Sequence, residues 1–338
     1  MQNIYEQLSI FADVKSNKKR PEFSKKTYEA FDEIRFIFRT QSNDIKDIYL
    51  KVNDIVPQEA ISFNSLPLQK ALICELLSSA LCHQINWDFI RKCILDKSRS
   101  NPEWLSAEYL SKISTNEVND LIGHYSKPDR IRIQERTKIL NNIGKTYIDL
   151  PDGINSIFFS ASKQPNSFEQ IYFFLNLSHV FSSDPMEKKL YLLIAKISRY
   201  KGFESLGTSC KPTIDYHIIR SFIRRGFINP KTKHSKTYLS TDAIKKESTL
   251  ASIRKHCSNI FYQISAVSKL NINQINLIEW WIGRSVCNEV LPDCLLKNEE
   301  AQWLKPIFSK CPFYDLCYYS KNSELSYNGT FNYKGQSY

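Results

Sequence analysis

The stretch SLPLQKALICELLSSALCHQINWDFIRKCI, residues 65–94, decides the fold class. Leu68, Leu72, Leu76, Leu77 and Ala80 recur at the spacing that lines one face of an α-helix. Ser65 is placed to cap this helix, and Pro67 suits its first turn, where no N–H is needed. Gln84–Asn86 breaks the run, and Trp87–Ile94 begins a second helix. Outward from there the same periodicity returns in Pro102–Leu110 behind Asn101, in Asn116–Tyr125 and in the aromatic run Phe168–Phe181. It returns again in MEKKLYLLIAKISRY, which follows Asp184 as cap and Pro185 as first residue. A loop spans Lys201–Thr213, and the helix Asp215–Arg225 stops at Gly226. Asn271–Arg284 is a further helix, and Thr27–Phe38 reads as helical upstream. Asp152-Gly153 marks a turn, and only KTYLST at 236–241 reads as a short strand. The chain is expected to be mostly α.

Composition narrows the rest. The 338 residues are 42% hydrophobic, enough for one large core or two ordinary ones, which excludes disorder along the whole chain. Nine glycines disfavour a Gly-rich repeat, a collagen-like chain or a dinucleotide fold with its Gly-x-Gly-x-x-Gly turn. LNNIGKT at 140–146 lacks the Gly-x-x-x-x-Gly-Lys spacing of a phosphate loop. The start MQNIYEQLSIFADV has an early acid and no long apolar core, and IYFFLNL at 171–177 is too short to cross a bilayer. An intracellular setting, cytoplasmic or nucleoid-associated and without membrane contact, is the expectation.

Charge is unevenly spread. Lys and Arg number 46 against 35 Asp and Glu, a net +11. Residues 196–255 alone hold fourteen basic and four acidic groups, a net +10. Such a concentration suits a phosphate backbone, whose neutralisation releases counterions. The plainer reading is a solvated basic surface.

Nine cysteines are present, an odd number that argues against a complete disulfide scaffold. Cys287, Cys294, Cys311 and Cys317 form C-x6-C-x16-C-x5-C in a segment holding Pro292 and Pro312. Four thiolates can hold a [4Fe–4S] cluster or a tetrahedral zinc, and spacing alone does not choose. Cys74, Cys82, Cys93, Cys210 and Cys257 read as core thiols or isolated groups.

Five segments together resemble the helix–hairpin–helix DNA glycosylase superfamily. IEWWIGRSVC at 278–287 and CPFYDLC at 311–317 are similar to the cluster loop of its endonuclease III and MutY-type members, with 16 residues in the middle gap where they have two. PTIDYHIIRSFIRRGFI at 212–228 is similar to the segment that carries their catalytic aspartate, which falls on Asp215. KKLYLLIAKISRY at 188–200 is similar to the lysine helix of the archaeal 8-oxoguanine glycosylases, preceded here by SSDPME in place of the hairpin glycines. SSALCHQINWDFI at 78–90 resembles the base-extrusion turn, with His83 and Gln84 in the comparable place.

The resemblance implies a two-lobed helical glycosylase fold with a C-terminal four-cysteine loop. It implies an N-terminal helical extension at 1–65, a helical core in two lobes at 66–286, the cluster loop at 287–317 and a tail at 318–338. It favours [4Fe–4S] over zinc at the four cysteines. Asp215 would stabilise positive charge growing on the sugar. Lys188 is the expected amine nucleophile; Lys189, being adjacent, points elsewhere, so only one of the two faces the pocket. His83, Gln84, Trp87, Tyr216 and His217 would line the pocket for an extruded base. Arg220, Arg224 and Arg225 would hold phosphates of double-stranded DNA, Arg220 and Arg224 sharing one helix face. The expected function is base removal from DNA by a monomer, with possible strand cleavage through a Schiff base. Two alternatives stand: a glycosylase of a free modified nucleotide, similar to the queuosine-salvage group, and a non-enzymatic zinc-stapled nucleic-acid-binding protein.

Overall fold

Helical periodicity becomes helix after helix in the computed structural model, which describes residues 31–33, 42–184, 186–230, 247–288 and 292–321. In chain order the helices are α1 (Ser42–Ile55), α2 (Leu68–Leu81), α3 (Trp87–Ser100), α4 (Ala107–Lys112), α5 (Thr115–Ile122) and α6 (Ile133–Tyr147). They continue as α7 (Phe168–Leu177), α8 (His179–Ser182), α9 (Lys188–Ile197), α10 (Tyr216–Arg225), α11 (Glu247–Ser268), α12 (Ile272–Trp281) and α13 (Tyr318–Lys321). Among the described residues the sheet is a single antiparallel pair, β1 (Phe31–Glu33) against β2 (Ile228–Pro230).

Caps set most boundaries. Ser114 and Glu117 form a reciprocal capping box on α5, Ser167 and Gln170 on α7, and Asn271 and Gln274 on α12. Ser106 and Ser178 also act as caps, which divides two runs expected to be continuous: Pro102–Leu110 becomes a 3-10 turn followed by α4, and Phe168–Phe181 becomes α7 and α8. Ser65 does not cap α2; its hydroxyl accepts from Arg99 at 2.8 Å. Within Thr27–Phe38, expected to be helical, residues 31–33 form a strand because Ile228–Pro230 supplies a pairing edge. KTYLST at 236–241 lies outside the described residues.

Buried apolar side chains fall into two clusters. The first runs from Phe63 to Cys210. The second joins Ile45, Tyr49, Val52 and Val56 of the α1 segment to residues between Ile214 and Phe313. The division therefore differs from the expected one. Residues 42–56 are no extension but part of the second core, and Leu296, Ala301, Leu304 and Phe313 seat the cysteine segment in that same core. Gly144 of LNNIGKT lies inside α6, where a Cβ would stand 2.1 Å from Ser111 N and 2.6 Å from Ala107 O. It serves close packing of α6 on α4. No described helix is long and apolar enough to cross a membrane.

Candidate functional site

The first part of the site is the start of α10. Asp215 has extended backbone, and its Oδ1 accepts the Ile218 N–H at 3.1 Å, which makes it the N-cap of the helix. The residue is 6% exposed. Tyr216 and His217 are half-buried beside it, their ring centroids 4.0 Å apart. Arg220 Nη2 donates to His217 Nδ1 at 3.0 Å; a guanidinium only donates, so Nδ1 is unprotonated and the ring neutral. Burial pushes the His217 pKa down to about 4; Asp215 opposes this, while Arg220, Lys188 and Arg284 add to it. Lys188 thus shares the field of the ring that adjoins Asp215.

The second part is the start of α9 and the turn that faces it. Lys188 is half-buried, whereas Lys189 is 4% exposed and its Nζ has no hydrogen-bond partner. Burial pulls the Lys189 pKa to about 8, with Cys82 and Glu135 opposing and Lys188 and Arg136 assisting. Cys82 belongs to the turn between α2 and α3, where Gln84 has φ 57 and Arg136 Nη2 donates to His83 O at 2.6 Å. The buried His83 ring lies 3.3 Å from Glu135, and burial drives its pKa to about 4 against the pull of that carboxylate. Glu187, just before α9, also has positive φ, at 54°. The left-handed backbone that glycine adopts without strain is therefore held here by a glutamate, whose carboxylate accepts from Tyr172 OH.

The expected pocket residues divide accordingly. Tyr216 and His217 stand beside Asp215, and the charge of Lys188 acts on the His217 ring; the charge of Lys189 acts on His83, next to Gln84 in the chain. Trp87 belongs to a separate buried charge network. Lys196 Nζ lies 4.9 Å and Arg91 Cζ 5.4 Å from its ring, Arg91 pairs with Glu75 at 2.5 Å, and Glu59 contacts Lys196.

Arg220, Arg224 and Arg225 are corrected. They are 1%, 2% and 3% exposed, so they do not present a phosphate-gripping surface. Their helix turns this face inward onto the cysteine segment. Arg220 Nε donates to Cys287 O at 2.8 Å and Nη2 to Gly283 O at 2.8 Å. Arg224 Nη1 donates to Asn288 O at 2.5 Å and reaches Cys287 Sγ at 3.7 Å. Arg225 forms a buried pair with Glu279, which also accepts from Tyr49 OH. Lys196 and Arg254 are buried too, so five of the basic residues in the window at 196–255 face the interior, while Lys201, Lys211 and Lys255 are exposed.

The four late cysteines line one cavity with Ser221, Arg224, Arg225, Ile282, Val286 and Pro292. Cys311 N–H donates to Cys294 O at 2.8 Å, and Cys317 Sγ donates to Arg224 O at 3.4 Å. Burial raises the Cys294 thiol to about 11, and its neighbours Cys317 and Cys287 push the same way. Burial also raises Cys311, to which Cys287, Cys294 and Cys317 add. As the side chains stand, no three His, Cys, Asp or Glu groups among the described residues are near enough to hold a metal ion. The donor set itself is four soft sulfurs around one space.

Sequence reasoning missed Glu135, Cys82 and Gly283. Glu135 and Cys82 carry no local signal. Gly283 could be read from the Gly-Arg before Cys287: a Cβ there would stand 2.6 Å from His217 O, so glycine lets the π-helical turn Ile282–Val286 meet α10. No protein-family model and no curated protein matches this chain.

Proposed function

We propose that the chain is an N-glycosylase that removes a modified base from DNA, built as a two-lobed helical glycosylase with a four-cysteine centre. One observation carries the reading: a buried, unpartnered lysine amine, Lys189, stands one residue from Lys188, which shares the field of His217 beside the buried carboxylate of Asp215. In the reaction a nucleophile forms a bond to C1′ as the C1′–N bond breaks. The electron pair leaves with the base, which takes a proton. Asp215, at a helix start, stabilises the positive sugar. An attacking amine must be neutral, and burial provides that for Lys189 at mild pH, whereas Lys188 lies nearer the His217 ring. Borohydride trapping of each single Lys→Met variant on base-modified DNA assigns the nucleophile. Water takes its place if neither variant changes base release.

Cys287, Cys294, Cys311 and Cys317 would hold a [4Fe–4S] cluster or zinc as a structural pin, and visible absorbance with bound iron separates the two. A second reading, release of a base from a free nucleotide, is favoured by the inward-facing arginines, which supply no backbone grip. Mass spectrometry of base release from oxidised, alkylated, deaminated and hypermodified duplexes, beside free nucleotides, decides between them. Unchanged release by Asp215→Asn would overturn both.

A further inference from the structure

We propose that Asp184 and Arg254 form a positioning clamp that sets where the amines of Lys188 and Lys189 stand; its catalytic consequence rests on the N-glycosylase reading. The Asp184 carboxylate is 3% exposed and makes four contacts. Oδ1 accepts from Met186 N–H at 3.0 Å and from Arg254 Nη1 at 2.6 Å. Oδ2 accepts from Lys188 N–H at 2.9 Å and from Arg254 Nη2 at 2.9 Å. One face of the carboxylate therefore ties down the first residue of α9, and the other is gripped by a two-pronged guanidinium.

The two halves of the clamp come from different cores. Phe181 and Leu190, on either side of Asp184, belong to the first cluster. Ile253 and Cys257, flanking Arg254 on α11, belong to the second. The turn between α8 and α9 is thus fixed from across the junction of the clusters. It needs such fixing because Glu187 holds a left-handed backbone without being glycine. A lysine amine sits at the end of four methylenes, so a small tilt of the first turn of α9 moves Nζ far. Misplacing a reacting group by 1 Å costs about 100-fold in rate.

The test uses the full chain with Arg254→Lys, which keeps the charge and loses the fork, and Asp184→Asn, which keeps one capping oxygen. Four quantities are measured: amide exchange at Met186 and Lys188, the pH midpoint of Lys189 acylation by mass spectrometry, base release and DNA affinity. The clamp requires faster exchange at those two amides by about 10-fold, with α6 unchanged, and a Lys189 midpoint rising from near 8 toward 10.5. It also requires base release to slow by about 100-fold, with affinity held within about threefold. Unchanged exchange and an unchanged midpoint in both variants would overturn the clamp. If the native protein releases no base at all, the glycosylase reading falls, and the clamp is judged on exchange and acylation alone. If Arg254→Lys fails to fold, Asp184→Asn supplies the same readouts.

Discussion

Two groups of buried cations sit in different halves of this molecule and are treated differently. Arg220, Arg224 and Arg225 in the second core meet carbonyls, a thiol and the Glu279 carboxylate. Lys189, beside Leu190 of the first core, has no hydrogen-bond partner for its Nζ. A buried charge held by carbonyls or a counter-charge belongs to architecture. A buried amine without a partner weakens the fold and sheds its proton, which is tolerated where chemistry needs a neutral amine. The contrast explains why three arginines of the positive window, first read as a nucleic-acid surface, serve instead as a scaffold around the cysteine segment.

The contrast can be tested most severely at the cysteines. If the arginines frame a metal centre, Cys311→Ser removes one of four ligands and most of a binding free energy on the order of 10 kcal/mol. Elemental analysis should show metal falling to under about one-tenth of native, and the denaturation midpoint should fall with it. Native metal content and midpoint in that variant would refute the centre.

The Arg225–Glu279 pair comes next. Glu279→Gln leaves a guanidinium buried without its counter-charge and should cost about 3–5 kcal/mol in denaturant unfolding. Replacing both partners, as Arg225→Met with Glu279→Leu, should recover most of that loss. A double variant no better than the single would mean that the pair is not the main role of either residue.

Lys189 should behave in the opposite sense. Its folded pKa is near 8 against an ordinary 10.5, so between those values the unfolded chain binds more protons and folding gains with rising pH. Lys189→Met should therefore be more stable than native by about 3 kcal/mol at pH 7, the difference vanishing by about pH 10.5. The same logic applies to His83 in another window. Its folded pKa is near 4 against 6.5, so native stability should fall as pH drops from 6.5 to 4, and His83→Leu should flatten that fall by about 3 kcal/mol. Urea titrations at a series of pH values check both. The smallest effect is expected at Gly283→Ala, about 1–3 kcal/mol, because the added methyl presses on the His217 carbonyl. A shifted His217 ring signal in NMR would localise it.

Legibility followed how local each cause is. The α10 boundaries were readable because Asp215 and Gly226 act on backbone within a turn of themselves. The shared face of Arg220 and Arg224 was readable too, since four residues make one turn, and both do reach Cys287 O. That this face points inward was not, because it depends on where the Cys287 segment lies. Strand 31–33 stayed hidden for the same reason: its partner lies almost two hundred residues away. Between Lys188 and Lys189 the helix is apolar nearly all round, so periodicity could not say which amine is buried.

The amino-acid sequence by itself determined the helical class, the stop at Gly226 and four cysteines in one short segment, because these depend on neighbours in the chain. Only the tertiary structure decided that residues 42–56 join the second core, that three arginines face inward, and that Lys189 rather than Lys188 loses its solvent. Burial and pairing are properties of surroundings, and the surroundings of each of those residues are assembled from distant parts of the chain.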